Sequence, residues 1–204
     1  MIEVQATGIS KNYGKKRVLK EIQFQFQSDV IGIAGSNGSG KSTLLKILSG
    51  LLKPTSGTIL WKLNNAEKTP QQIHPFLGFT APYVQLYEEF TVEENVRFLI
   101  QLQKNSAIED INKLLSEFQL DGISHSLYGN LSTGQQQRAK LACAMIKDPE
   151  ILMLDEPGSN LDEHGKSLIR NLTDSMREKN RMVIIASNQG DELDLCNEII
   201  NLNP

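Results

Sequence analysis

Residues 2–9 and 18–27 alternate apolar and polar side chains, with Ile22, Phe24 and Phe26 set against Gln23, Gln25 and Gln27. A period of two over such runs predicts half-buried antiparallel strands. Ser28-Asp29 turns the chain into Val30-Ile31-Gly32-Ile33-Ala34, a continuously apolar run of the kind buried on both faces of a parallel sheet. A glycine-rich segment follows, then Ser42–Leu52, whose leucine content predicts a largely buried helix. Residues 62–75 (KLNNAEKTPQQIHP) are polar and broken by prolines, which predicts a surface loop. From about residue 91 to 128 the period becomes helical, with Ile108, Ile111, Leu114, Leu115 and Phe118 on one stripe. The last third alternates again: a strand at Ile151–Leu154, a helix over about 162–178, a strand at Met182–Ala186. Strands separated by helices predict an α/β fold with a mostly parallel sheet, preceded by an antiparallel β subdomain and interrupted by a helical insertion.

Composition narrows the function. A chain of 204 residues supports one domain with an inserted subdomain and needs no disulfide or metal to hold its core. Lys+Arg 21 against Asp+Glu 24 gives a formal charge of −3, and the densest basic run is Lys15-Lys16-Arg17, so no nucleic-acid footprint is present. Apolar runs such as Leu141–Ile146 are too short to cross a bilayer, and Met1–Gln5 lacks the start of a signal peptide. Cys143 and Cys196 form no Cys-x-x-Cys pair, so the expectation is a cytoplasmic protein with reduced thiols. His74, His125 and His164 lie in polar sequence and are expected at the surface.

Gly35-Ser36-Asn37-Gly38-Ser39-Gly40-Lys41-Ser42 fits G-x-x-x-x-G-K-[ST], followed by Thr43. Glycines let backbone N–H groups curl around phosphates without a clashing Cβ. A following helix adds the partial positive charge of its N-terminus. Lys41 would neutralise the β- and γ-phosphates of ATP, and the Ser42 hydroxyl would coordinate Mg²⁺. A buried strand before the loop and a helix after it mark this as the nucleotide site of a P-loop NTPase core.

Ile151-Leu152-Met153-Leu154-Asp155-Glu156 brings four apolar residues up to two acids. A parallel strand delivers such acids to its C-terminal edge, beside the phosphate loop. Adjacent strand residues point to opposite faces, so the two acids should divide the work: Asp155 at the Mg²⁺ shell, Glu156 polarising or deprotonating an attacking water.

About twenty residues earlier, Leu131-Ser132-Thr133-Gly134-Gln135-Gln136-Gln137-Arg138 opens a helix, with Ser132 as its N-cap. This segment resembles the LSGGQ signature of ATP-binding cassette (ABC) ATPases, with Thr133 in place of the first glycine. Other P-loop enzymes lack it. The resemblance runs from about residue 2 to 202. It puts Tyr13 where the family stacks an aromatic ring on adenine, and Ser159-Asn160-Leu161-Asp162 at the D-loop. It implies one cassette over residues 1–204, with about 1–80 and 140–204 as nucleotide-binding core and about 81–139 as helical subdomain. It also implies a head-to-tail homodimer or a pairing with a second cassette, in which Ser132, Gly134 and Gln135 bind the γ-phosphate held by the partner. A separate transmembrane permease subunit would hold the chain at the inner face of the cell membrane.

Two positions depart from the family pattern. Leu77-Gly78-Phe79-Thr80-Ala81-Pro82 puts Pro82 where a glutamine contacts Mg²⁺ and the attacking water, with Gln85 three residues on as a candidate substitute. Ile184-Ile185-Ala186-Ser187-Asn188-Gln189 puts Asn188 at the switch histidine. Asn donates a hydrogen bond but carries no charge, so slow hydrolysis is expected. Tyr83-Val84-Gln85-Leu86-Tyr87 and Phe90 read either as packing of the helical subdomain or as a groove for the membrane subunit. The short chain, Gly57-Thr58-Ile59-Leu60-Trp61 and Asn188-Gln189 look most similar to the compact cytochrome c-type haem exporter cassettes. An ATP-gated assembly module with little turnover is the alternative to a transporter ATPase.

Overall fold

The computed structural model describes residues 1–27, 29–102, 110–159 and 161–202. Ser28 of the predicted turn, Ile108 of the helical stripe and Asn160 of the D-loop resemblance lie outside the described residues, as does the side chain of His164.

The alternating N-terminal segments form strands β1 (Ile2–Tyr13) and β2 (Lys16–Gln27), paired antiparallel. With β4 (Ser56–Leu63) and β5 (Ala66–Lys68) they make a four-stranded sheet in the order β2-β1-β4-β5. The second sheet is parallel throughout, ordered β6-β7-β8-β3-β9, from β3 (Val30–Ala34), β6 (Leu77–Thr80), β7 (Ile151–Asp155), β8 (Met182–Ser187) and β9 (Glu198–Asn201).

The period of two in the parallel strands divides two cores. Ile31, Ile33, Ile151, Met153, Met182 and Ile184 pack with Leu44, Leu45, Ile47 and Leu48 of helix α1 (Lys41–Leu48) and with Val4 and Ile9 of β1. Thus α1 lies buried between the two sheets. The alternate residues Val30, Leu152, Leu154, Val183 and Ile185 face helices on the opposite side. These are α2 (Val92–Leu102), α3 (Ile111–Glu117), α4 (Thr133–Ala144) and α5 (Glu163–Glu178). A short helix α6 (Gly190–Leu193) follows β8. Each buried Leu or Ile contributes about 1.5–3 kcal/mol, so these two cores hold the strand ends in register.

Two expectations need correction. The helix after the phosphate loop ends at Leu48 rather than Leu52. Gly50 turns left-handed (φ 76°), and the Trp61 indole donates to the Leu48 carbonyl at 3.1 Å, which completes the helix end from a distant strand. Residues 62–75 are not one loop. Asn64 and Asn65 take positive φ (51° and 66°) and form the tight turn of a β4–β5 hairpin, after which Pro70–Phe76 is a 3₁₀ helix. Among the described residues no helix is long and apolar enough to cross a membrane.

Candidate nucleotide site

The phosphate loop leaves the C-terminal end of β3 and closes onto α1. Gly38 and Gly40 take φ of 83° and 108°, which L side chains rarely adopt, and a Cβ at Gly40 would stand 2.8 Å from Leu19 Cδ2. Gly40 caps α1 with no side-chain hydrogen bond, and the first turn carries no acid. The α1 N–H groups are therefore left for an anion. Lys41, 5% exposed, turns its ammonium inward to the carbonyls of Gly35 (2.8 Å) and Ser36 (3.3 Å).

A cavity of about 650 Å³ opens here. Its walls bring together Asn37, Gly38, Gly40, Lys41, Ser42 and Thr43 of the loop with Pro82, Glu156, Ser159 and Asn188. The parallel sheet does this, since β3, β6, β7 and β8 all end at the same edge. Asn188 Nδ2 donates to Asn37 Oδ1 at 3.0 Å, tying the segment after β8 to the phosphate loop. Val18 and Gln189 also line the cavity. No chemical motif singles them out, although Gln189 adjoins Asn188.

Asp155 is 1% exposed at the end of β7. Burial pushes its carboxyl above the ordinary range, against a hydrogen bond from the Ser42 hydroxyl. Its Oδ1 has no hydrogen-bond partner. An unpartnered carboxylate oxygen beside a hydroxyl is a hard-oxygen set that fits Mg²⁺. Among the described residues no group of three or more acidic, His or Cys side chains is placed to hold a metal ion.

Glu156 does not go to the opposite face, as strand alternation predicts. It lies just past β7 with φ 47°, and its N–H donates to the Ala186 carbonyl at 2.8 Å. This left-handed step breaks the alternation and brings Glu156 Oε1 within 3.2 Å of Lys41 Nζ, so both acids face α1. Pro82 lines the cavity, but Gln85 is exposed and folds its amide back to the Pro82 carbonyl at 3.3 Å.

Other expected site residues lie outside this cavity. Tyr13 is half-exposed at the end of β1, with the Lys11 ammonium 5.3 Å from its ring centre. Ser132 caps α4 in a reciprocal box: its Oγ accepts from Gln135 N–H (3.3 Å), and Gln135 Oε1 accepts from Ser132 N–H (2.9 Å). Neither these two nor Gly134 lines the cavity. His74 and His125 are exposed, and burial pushes the free thiols of Cys143 and Cys196 up to about 12.

Known proteins fit this geometry. A family model described as "ABC transporter" matches residues 19–159. The protein named "Probable sulfate/thiosulfate import ATP-binding protein CysA" of Chlorella vulgaris is 33% identical over 95% of this chain and 84% of its own length. The "Nod factor export ATP-binding protein I" of Sinorhizobium fredii is 31% identical over 97% of this chain, which spans 59% of that protein. Among solved structures, a dimeric post-hydrolysis state of the cassette MJ0796 bound to ADP and Pi superposes with a TM-score of 0.81. It is 25% identical and covers 98% of this chain and 94% of that one. The chain belongs to the ABC transporter family, as one of its ATP-binding, ATP-hydrolysing cassettes.

Proposed function

We propose that this chain energises a separate membrane subunit by closing two cassettes around ATP, with the roles of its residues as follows. Lys41 and the α1 N-terminus take the β- and γ-phosphates, and Tyr13 stacks on adenine. Ser42 and Asp155 would hold Mg²⁺, which when bound neutralises charge on the phosphate oxygens. Glu156 accepts a proton from the attacking water, and Asn188 donates a neutral hydrogen bond to the γ-phosphate.

The observation that carries the two-cassette reading is the separation of the two halves of the site. The cavity gathers the phosphate loop, Glu156 and Asn188, while the capped start of α4 stays outside it with Ser132 and Thr133 exposed. This chain offers the γ-phosphate Lys41 and Asn188 from one side, and the signature of a second chain would add donors from the other. Residues 81–139, which carry that signature, are read as a subdomain on the core. Half-exposed Tyr83 and Tyr87, with Tyr87 packed on Phe90 and Phe98 at 5.1 and 5.2 Å, support the same region as the seat of a membrane partner. One relative is named for import and another for export, so the reading stops at transport without a direction.

Lys41→Ala tests the site. It should abolish measurable ATP binding by calorimetry in a chain that still folds, and equal affinity in mutant and wild type refutes the phosphate-loop assignment. A second reading, an ATP-gated module with slow turnover, is favoured by Gln85 lying off the cavity and by the uncharged Asn188. A membrane subunit co-purifying with this chain decides for transport.

A further inference from the structure

Glu156 and Ser159, both on the cavity wall, are the first and last residues of one turn, closed by Ser159 N–H donating to the Glu156 carbonyl at 3.2 Å. Its centre is Pro157-Gly158. That dipeptide favours the turn in which glycine takes a left-handed φ, yet Gly158 is not among the left-handed glycines of this chain. The central peptide of the turn joins Pro157 to Gly158.

Two buried side chains from different helices hold it. Gln137 of α4, 7% exposed, donates from Nε2 to the Pro157 carbonyl at 3.0 Å. Glu192 of α6, 4% exposed, accepts the Gly158 N–H on Oε1 at 2.5 Å. That carbonyl and that N–H are the two ends of one peptide group. Ser187, which directly precedes Asn188, accepts the Gln189 N–H on its hydroxyl at 3.0 Å, and Glu192 Oε2 is buried with no hydrogen-bond partner. A Cβ on Gly158 would collide with Glu192 Oε1, so the carboxylate occupies the space a side chain would take.

We infer that Gln137 and Glu192 are positioning residues for hydrolysis, clamping the Pro157–Gly158 peptide from both ends and so fixing the turn that carries Glu156 and Ser159. The inference rests on the reading of Glu156 as the group that activates water. Both residues are buried, and Gln137 Nε2 and Glu192 Oε1 are taken up by the Pro157–Gly158 peptide rather than turned to the cavity. Their loss should lower kcat and leave ATP affinity alone.

The experiment measures Mg-ATP hydrolysis, ATP affinity and thermal unfolding for Gln137→Ala, Glu192→Ala, their double mutant, Glu192→Gln and Glu156→Gln. A loosened catalytic group costs about tenfold to a hundredfold, so each alanine variant should lose that much in kcat with ATP affinity within about twofold. Glu192→Gln keeps an oxygen for the Gly158 N–H and should restore most of the rate. Because both ties act on one peptide, the double mutant should be about as slow as the slower single mutant. If Glu192→Ala does not fold, Gln137→Ala decides alone, and wild-type kcat in that variant overturns the clamp. Wild-type kcat in Gln137→Ala and Glu192→Ala beside an inactive Glu156→Gln overturns the clamp alone, as do additive losses in the double mutant. Undiminished hydrolysis by Glu156→Gln overturns the reading of Glu156 and the clamp with it.

Discussion

Glu156→Gln should do two things at once, bind ATP more tightly and fail to hydrolyse it. Glu156 Oε1 is 3.2 Å from Lys41 Nζ, with the two side chains only 19% and 6% exposed. ATP must draw Lys41 away from this carboxylate. A hydrogen bond to a charged group contributes about 1.5–3 kcal/mol and a neutral one about 1 kcal/mol. The amide thus weakens the competing bond by about 1 kcal/mol, discounted a little for the partial exposure of Glu156. That difference corresponds to about fivefold tighter binding. Removing a negative charge beside the triphosphate acts in the same direction. The amide cannot take a proton from water, so hydrolysis should fall by about 10²–10⁴. Calorimetric titration with Mg-ATP and a phosphate-release assay on the same preparation read both effects. Light scattering should show a monomer without nucleotide and a dimer at saturating ATP, since ATP bound at a shared interface favours the dimer by linkage. Weaker or equal ATP binding would refute the competition for Lys41. A variant that stays monomeric at saturating ATP refutes closure by this chain alone.

Tyr13→Ala should weaken ATP by about 1–3 kcal/mol and Tyr13→Phe should leave affinity unchanged, because stacking needs the ring and not the hydroxyl. Equal impairment of both in a fluorescent-nucleotide titration refutes stacking. Asn188→His should raise turnover by about fivefold, about 1 kcal/mol for a donor that adds positive charge beside the phosphate; an unchanged rate moves the bottleneck elsewhere, with Pro82 the next position to test. Asp155→Asn should raise the melting temperature measured without nucleotide at neutral pH and remove the protection that Mg-ATP gives. Burial raises the folded-state pKa of Asp155, so its favourable contribution is complete at acid pH and is lost as pH rises through the folded value. The advantage of the Asp155→Asn variant over the wild type should therefore grow from acid to neutral pH, and a pH-independent difference refutes the desolvation argument.

The site was legible where its chemistry is local. A phosphate loop needs glycines at fixed offsets, and two acids after an apolar strand arrive at a sheet edge whatever surrounds them, so Lys41, Ser42, Asp155 and Glu156 could be named from spacing. The same holds for the alternation that sorts Ile151 and Met153 from Leu152 and Leu154 into two cores. What escaped was set by contacts across the fold. The end of α1 depends on the Trp61 indole, and Glu156 faces Lys41 through a single left-handed residue that strand periodicity cannot register. The peptide clamp joins residues 20 and 34 positions apart. The β4–β5 hairpin is a different failure: Asn64-Asn65 is a turn signal in itself, hidden by the polar residues and prolines around it.

The contacts within the site bear on where the free energy of ATP binding goes. Lys41 is satisfied by two loop carbonyls and Glu156, and Asn188 by Asn37. Asp155 Oδ1 and Ser39 Oγ are the exceptions, buried without a hydrogen-bond partner. On the proposed reading ATP would exchange existing bonds at Lys41 and Asn188 and gain new ones at the uncapped α1 N-terminus, and Asp155 would hold the metal ion carried with it. At Asn188 one amide-donated bond replaces another and little net affinity results, whereas Lys41 trades two carbonyls and one carboxylate for the several charges of a triphosphate. On that reading a further interaction remains at the open mouth of the cavity, where a second signature helix would add donors to the γ-phosphate beside Lys41 and Asn188. Most of the free energy from ATP would then appear as association of two cassettes rather than as affinity of one. That is the form in which it can do mechanical work on a partner.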